Sequence, residues 1–402
     1  MKSHLILLIG FLALPALSLQ SQPTPATAVQ TTQKTEETPT NFEWYAQQGK
    51  QFLQNNRFGQ AIEMYRKAIE LRPEDYDSLF NLGQSYFSIG KFQEGLEVAQ
   101  KAVQISPASA NAHFLVGNIL AAMQRHGEAV EEYNKTNALN PNSTYSFYNL
   151  GTSYLSTKQF DLAIKALKEA VRLNPNYGSA HMNLAVAYLE MKQDDDGINE
   201  LKQALKYDVR AFYAAERLAK ECLRRGRYQE AKEAYEWSLQ NAPFNAQTCE
   251  LHTFASTYAG RSQEAIEYGQ NCLKTRDRTQ SKSTYLALFT YLNYRQINND
   301  AEAQKLLVEA ASQLKADAWP MPVWKYLKGE IKSKDLLKSA KNNDELTEAH
   351  AYLGCALALE GKKEEAVQHF KWVQENGNQN FVEYPLALME LSRIEANLSI
   401  KK

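Results

Sequence analysis

Phe80, Phe114 and Tyr148 stand 34 residues apart, and Asn81, Asn149 and Asn183 beside them fall on multiples of the same spacing. Gln84 and Asn118 repeat it once more, and Tyr145 precedes Tyr148 by three residues. Amides next to aromatics suit an extended peptide. Asn offers a donor and an acceptor to a backbone without reading its side chains, and aromatic rings add apolar contact area at low entropy cost. The alternative is that part of the aromatic stripe packs between elements. The three Asn fit that alternative poorly, because an apolar interior would leave their amides unpaired. Farther along, Arg217, Lys220 and Arg224 share one stripe at helical spacing. Two such cations could grip a carboxylate; the alternative is a solvated patch balanced by Glu216 and Glu221.

No other residues assemble into a reactive set. The sequence contains no GxSxG, HExxH, Walker loop or dinucleotide Gly-rich loop. His113, His181 and His350 all occupy one repeat position, and His113 and His181 are two repeats apart, too far to share a metal ion. Asp194, Asp195 and Asp196 lie in a turn and lack the flanking ligands of a calcium loop. The expectation is a protein that is not an enzyme and holds no metal or cofactor.

The elements that must position the stripe are set by a 34-residue period. Gly83, Gly117 and Gly151 are 34 apart, as are Pro73, Pro107, Pro141 and Pro175. Repeats open at Phe42, Tyr76, Ala110, Thr144, Gly178, Phe212 and, more weakly, Ala246. Within each, small residues at positions 8, 20 and 27 let helices approach closely, and Leu at 7 with Tyr or Phe at 11 and 24 fill the space between them. Pro at 32 ends the second helix. Gly90 and Gly226 at position 15 suit a left-handed turn. This pattern resembles the tetratricopeptide repeat, a helix–turn–helix unit that stacks into a solenoid. The resemblance implies an all-α fold, a right-handed superhelix of antiparallel helix pairs with a capping helix at the C-terminus. It also implies that positions 2, 5, 6, 9, 12 and 13 of each first helix line a concave binding face.

After about residue 276 the grid loosens. Trp319-Pro320-Met321-Pro322 breaks any helix, and Thr347 opens a final repeat with Gly354, Gly361, Ala366 and Phe370 in place. The break, then Tyr326-Leu327-x-Gly329, Asp335-Leu336-Leu337 and Glu348-Ala349-His350-Ala351-Tyr352-Leu353-Gly354, resembles the C-terminal region of exported bacterial proteins of the NlpI type. That resemblance spans residues 319–375 and implies an envelope adaptor. The chain departs from the group in having more full repeats and no lipid-anchor Cys.

Residues 1–18 read as a secretory signal: Lys2, an apolar run from Leu5 to Leu14, then Ala16 and Ser18 as small residues before a cut. Residues 19–41, rich in Thr, Gln, Pro and Ser, read as a disordered tether. The remaining plan is seven repeats over 42–275, degenerate helical repeats over 276–346, and a final repeat with capping helix over 347–402. With 45 Lys and Arg against 46 Asp and Glu, nothing favours nucleic acid as a partner. No segment after the signal is apolar enough to span a membrane. Cys249 and Cys272, at positions 4 and 27 of one repeat, lie at the same end of two antiparallel helices. The geometry permits a bridge there, and packing as small buried residues is the other reading. The sequence therefore points to an exported scaffold or adaptor, periplasmic if bacterial and otherwise secreted, that binds a peptide or protein on its concave face. A self-assembling envelope protein and a glycan binder are the alternatives, and oligomeric state is left open.

Overall fold

The computed structural model describes residues 41–208, 211–242, 244, 248–275, 281–312 and 319–399. The signal segment and all of the tether but Asn41 lie outside them. The chain divides into two compact units, Met1–Glu200 and Leu201–Lys402. Among the described residues there are 21 helices and no strand.

The N-terminal unit is a stack of helix pairs. First (A) and second (B) helices alternate: α1 (Phe42–Gln54) with α2 (Phe58–Leu71), α3 (Tyr76–Ser88) with α4 (Phe92–Ile105), and α5 (Ala110–Ala122) with α6 (His126–Leu139). Next come α7 (Thr144–Ser156) with α8 (Phe160–Leu173), then α9 (Gly178–Glu190) and α10 (Asp194–Tyr207), which contains the point of division. A side chain just ahead of four A helices supplies the acceptor that their free N–H groups need. Asn41, Asp75, Ser109 and Ser143 accept from the backbone of Trp44, Ser78, Ala112 and Ser146.

Every A–B turn of this unit places position 15 in the left-handed region. Gly90 does so at φ 77°, but Asn56, Gln124, Lys158 and Lys192 do so too, at φ 57–61°. A side chain in that conformation costs about 1–2 kcal/mol, so the tight turn is held by the helices it joins rather than by its own residue. The close approach inside a repeat is clearest at Gly117. A Cβ there would lie 2.8 Å from the Tyr133 ring, so the ring at position 24 lies directly on the backbone at position 8.

The C-terminal unit contains α11 (Phe212–Arg224), α12 (Tyr228–Asn241), α13 (Cys249–Ala259), α14 (Ser262–Thr275), α15 (Ser281–Gln296) and α16 (Asp300–Ala311). After the Trp319–Pro320 turn come α17 (Met321–Leu327), α18 (Ser333–Ser339), α19 (Asn343–Leu359), α20 (Lys363–Asn376) and α21 (Glu383–Ser399). The last A helix, α19, starts four residues ahead of Thr347, because the Asn342 side chain caps it by accepting from Glu345 N at 2.9 Å. The closing helix α21 packs on α19 and α20, and it also reaches back to α11 and α13. There Tyr258 donates to Val382 O at 2.8 Å, and Arg393 donates to the carbonyls of Thr257 and Tyr258 at 2.9 and 2.7 Å. This unit therefore closes on its own last helix.

Cys249 and Cys272 form a disulfide between α13 and α14, with Cα atoms 5.9 Å apart and a sequence separation of 23. Closing a loop of that size stabilises by about 2–4 kcal/mol. Reductant is expected to lower the urea midpoint of the C-terminal unit by a corresponding amount. An unchanged midpoint with both thiols demonstrably free would remove this contribution.

Candidate functional site

In the N-terminal unit consecutive A helices touch one another: α1 with α3, α3 with α5, α5 with α7 and α7 with α9. The B helices α2, α4, α6 and α8 each make their substantial contacts with their own A helix and the next one. The stack therefore curves with its A helices on the inside. Phe80, Asn81 and Gln84 lie on α3, Phe114 and Asn118 on α5, Tyr145, Tyr148 and Asn149 on α7, and Asn183 on α9.

The structure separates these residues into two groups. Phe80 and Phe114 are half-buried, with their inner edges packed against the core cluster around Leu115, Ile119 and Tyr133. Asn81 and Gln84 are half-buried, and their side chains make no hydrogen bond among the described residues. Tyr145 is 36% exposed, its ring edge-on to Tyr177 at 5.8 Å. These five, on the A helices, keep part of their surface open. Asn118, Asn149, Asn183 and Tyr148 do not: they are 0%, 2%, 9% and 3% exposed.

Asn118, Asn149, Asn183 and Tyr148, expected on the open face, lie inside the stack and hold neighbouring repeats together. Asn118 Oδ1 accepts from Tyr133 OH at 2.9 Å and from Asn149 Nδ2 at 2.8 Å. Asn183 Nδ2 donates to Thr152 Oγ1 at 3.0 Å. In both cases position 6 of one repeat reaches position 9 of the repeat before it, 31 residues back. An amide in the interior is stable when its partner comes from the neighbouring repeat. The 31-residue offset between Asn118 and Asn149, and between Thr152 and Asn183, was the signal in the sequence. Tyr148 is held by its ring contact with Tyr177 at 4.9 Å.

In the C-terminal unit the basic stripe on α11 is largely neutralised. Lys220 Nζ pairs with Glu216 at 2.8 Å, and Arg224 pairs with the buried Glu221 at 2.8 Å. Arg217 is half-buried on the same helix. A ligand carboxylate at Lys220 or Arg224 would have to compete with these acidic partners. Lys220 and Arg224 are thus members of intrachain ion pairs, with their side chains 27% and 30% exposed.

Residues 47–110 and 154–221 match the tetratricopeptide-repeat family. Those two segments carry tetratricopeptide repeats. A curated relative, the Lipoprotein NlpI homolog of Haemophilus influenzae, is 34% identical over 122 residues, which cover 28% of this chain. The chain spans 38% of the length of that relative. Among solved structures, MamA aligns over 41% of this chain and 91% of its own at 25% identity and a TM-score of 0.40. Pseudomonas aeruginosa PilF aligns over 51% of this chain and 93% of its own at 23% identity and a TM-score of 0.43.

Two further clusters are not signalled by the repeat pattern. The first is a pair of buried acids. Glu348 on α19 is 2% exposed; its Oε1 accepts from Tyr285 OH at 3.0 Å and its Oε2 from Trp319 Nε1 at 2.7 Å. Glu383, at the start of α21, is fully buried; its Oε1 accepts from Tyr352 OH at 2.7 Å, while Oε2 has no partner among the described residues. Burial and then the Glu383 charge push Glu348 up, and burial raises Glu383. The available sign was an acid inside an otherwise apolar, aromatic run, as in Glu348 ahead of Ala349, Ala351, Tyr352 and Leu353. The second cluster joins position 4 to position 23. In two repeats it is a His–Glu pair, His113 with Glu132 and His181 with Glu200, each at 2.6 Å. In the last repeat it is His350 with His369.

Proposed function

We propose that the chain is an exported adaptor that holds an extended peptide segment of a protein partner along the A-helix face of its N-terminal unit. The observation that carries this reading is the set Phe80, Asn81, Gln84, Phe114 and Tyr145, open on the inner side of the stack while the neighbouring amides are used up inside it. Two free amides beside three rings can satisfy a peptide backbone and cover its side chains without demanding one sequence. The tetratricopeptide repeats and the similarity to an NlpI homolog support a protein-interaction scaffold. The Cys249–Cys272 bridge supports an oxidising compartment such as the periplasm.

Short peptides selected from a random display library against the folded protein supply the probe. Replacing Asn81, Gln84 and Tyr145 together by Ala is expected to weaken the selected peptides by at least about 10-fold in fluorescence anisotropy, since each lost hydrogen bond is worth about 0.5–1.5 kcal/mol. Helix content should not change, because all three side chains are outside the core. Equal affinity in the triple variant would place the peptides elsewhere and reject this face.

A further inference from the structure

In repeats 3 and 5 the position 4 histidine lies between two acceptors. His181 meets Glu200 through Nδ1 and the Pro175 carbonyl through Nε2 at 2.8 Å, and His113 meets Glu132 and the Pro107 carbonyl in the same way. A ring that donates from both nitrogens is an imidazolium and has no lone pair to give a metal. Burial alone would lower His181, but Glu200 and the Pro175 carbonyl outweigh it and raise it.

The last repeat inverts that chemistry. His350 on α19 and His369 on α20 face each other through their Nδ1 atoms at 2.9 Å. Only one proton fits between them, so one ring donates and the other offers its lone pair. Both rings are partly exposed. The His350 ring stacks on Trp372, with centroids 4.0 Å apart and planes 8° from parallel. That stack fixes the ring that must act as a ligand.

We propose that His350 and His369 form a two-imidazole site for a divalent transition-metal ion of the copper class, at the A–B crossing of the last repeat. Metal–nitrogen bonds of about 2.0–2.1 Å meeting at a right angle separate two nitrogens by about 2.9 Å. The distance between the two Nδ1 atoms is that separation. Adjacent right-angled nitrogen positions belong to the tetragonal geometry of Cu²⁺ and Ni²⁺, and the usual affinity order places Cu²⁺ first. Uptake needs no net proton release at neutral pH: the proton shared between the rings moves to the Nε2 of the ring that donated it. Glu365, one turn before His369 on α20, adds negative charge. Among the described residues no group of three His, Cys, Asp or Glu side chains converges on one point, so water fills the remaining positions.

The test is titration of the untagged, folded protein with Cu²⁺ at neutral pH, followed by calorimetry and tryptophan fluorescence. One saturable equivalent is expected, with quenching that is lost in Trp372→Phe. Mg²⁺ and Ca²⁺ should not compete. His369→Glu rebuilds the pair already used at this place in two repeats and so should fold; the double variant His350→Gln/His369→Gln removes both ligands. Changes beyond the ligand shell alone cost about 10–100-fold in metal affinity, so the double variant should lose at least about 100-fold and His369→Glu should weaken binding markedly. Equal Cu²⁺ affinity in wild type and double variant, or no saturable uptake by the wild type, overturns the site. Matching circular dichroism of the variants separates loss of ligands from loss of fold.

Discussion

Raising the pH from about 5.5 to about 9 is expected to destabilise the C-terminal unit, by on the order of 3–5 kcal/mol. Most proteins with paired carboxylates lose stability in the opposite direction, as acid removes charges that the fold uses. Here the fold prefers the acids uncharged. Glu348, pushed up to about 8 by burial and by Glu383, binds its proton more tightly in the folded chain than when unfolded, where it has an ordinary carboxylate value near 4.5. Glu383 is raised in the same sense by burial. Between those values the folded state holds more protons than the unfolded state, so stability is fully present below the unfolded value and falls as pH rises through neutrality. The acids join the start of α21 to α19, α15 and the Trp319 turn, so the helix that closes the unit is the one at risk. Urea unfolding monitored by tryptophan fluorescence at several pH values measures the effect. Glu348→Gln keeps an acceptor for Trp319 and should flatten the slope. A midpoint that rises from pH 6 to pH 9 would contradict this account.

The helices were legible in the sequence because their signals are local and repeated. Small residues at fixed offsets and prolines after B helices state their meaning within one repeat. Position 15 was only partly legible: glycine announces a left-handed turn, whereas Gln124 and Lys158 adopt one because the helices on either side leave no other path. What could not be read was contact across repeats. An Asn on the inner stripe looks the same whether it meets solvent, as Asn81 does, or a neighbour's amide, as Asn149 does. The return of α21 to α11 and α13 depends on residues over 120 positions apart, which no periodicity encodes. For Lys220 and Arg224 the acids they pair with, Glu216 and Glu221, were visible in the sequence at helical spacing.

Replacing Asn118 by Leu is expected to cost the N-terminal unit about 2–5 kcal/mol. Its Oδ1 is the acceptor for both Tyr133 OH and Asn149 Nδ2, and all three residues are at most 2% exposed. A leucine of similar size leaves two buried donors with no partner, each worth about 1–3 kcal/mol. A small offset comes from Asn118 Nδ2, which has no partner among the described residues and disappears with the substitution. The diagnostic result is non-additivity. Tyr133→Phe, Asn118→Leu and Asn149→Leu together leave no orphaned donor, and replacing all members of a buried polar set by apolar groups of similar shape is close to neutral. The triple variant should therefore be more stable than the Asn118→Leu single variant, a coupling that urea unfolding of all the combinations resolves. If the three costs simply add, or if Asn118→Leu is silent, the network does not hold repeats 3 and 4 together. The same series separates scaffold from binding face. At a temperature where Asn118→Leu remains folded, it should bind selected peptides as the wild type does, whereas the Asn81, Gln84 and Tyr145 variant should lose binding with its unfolding midpoint unchanged.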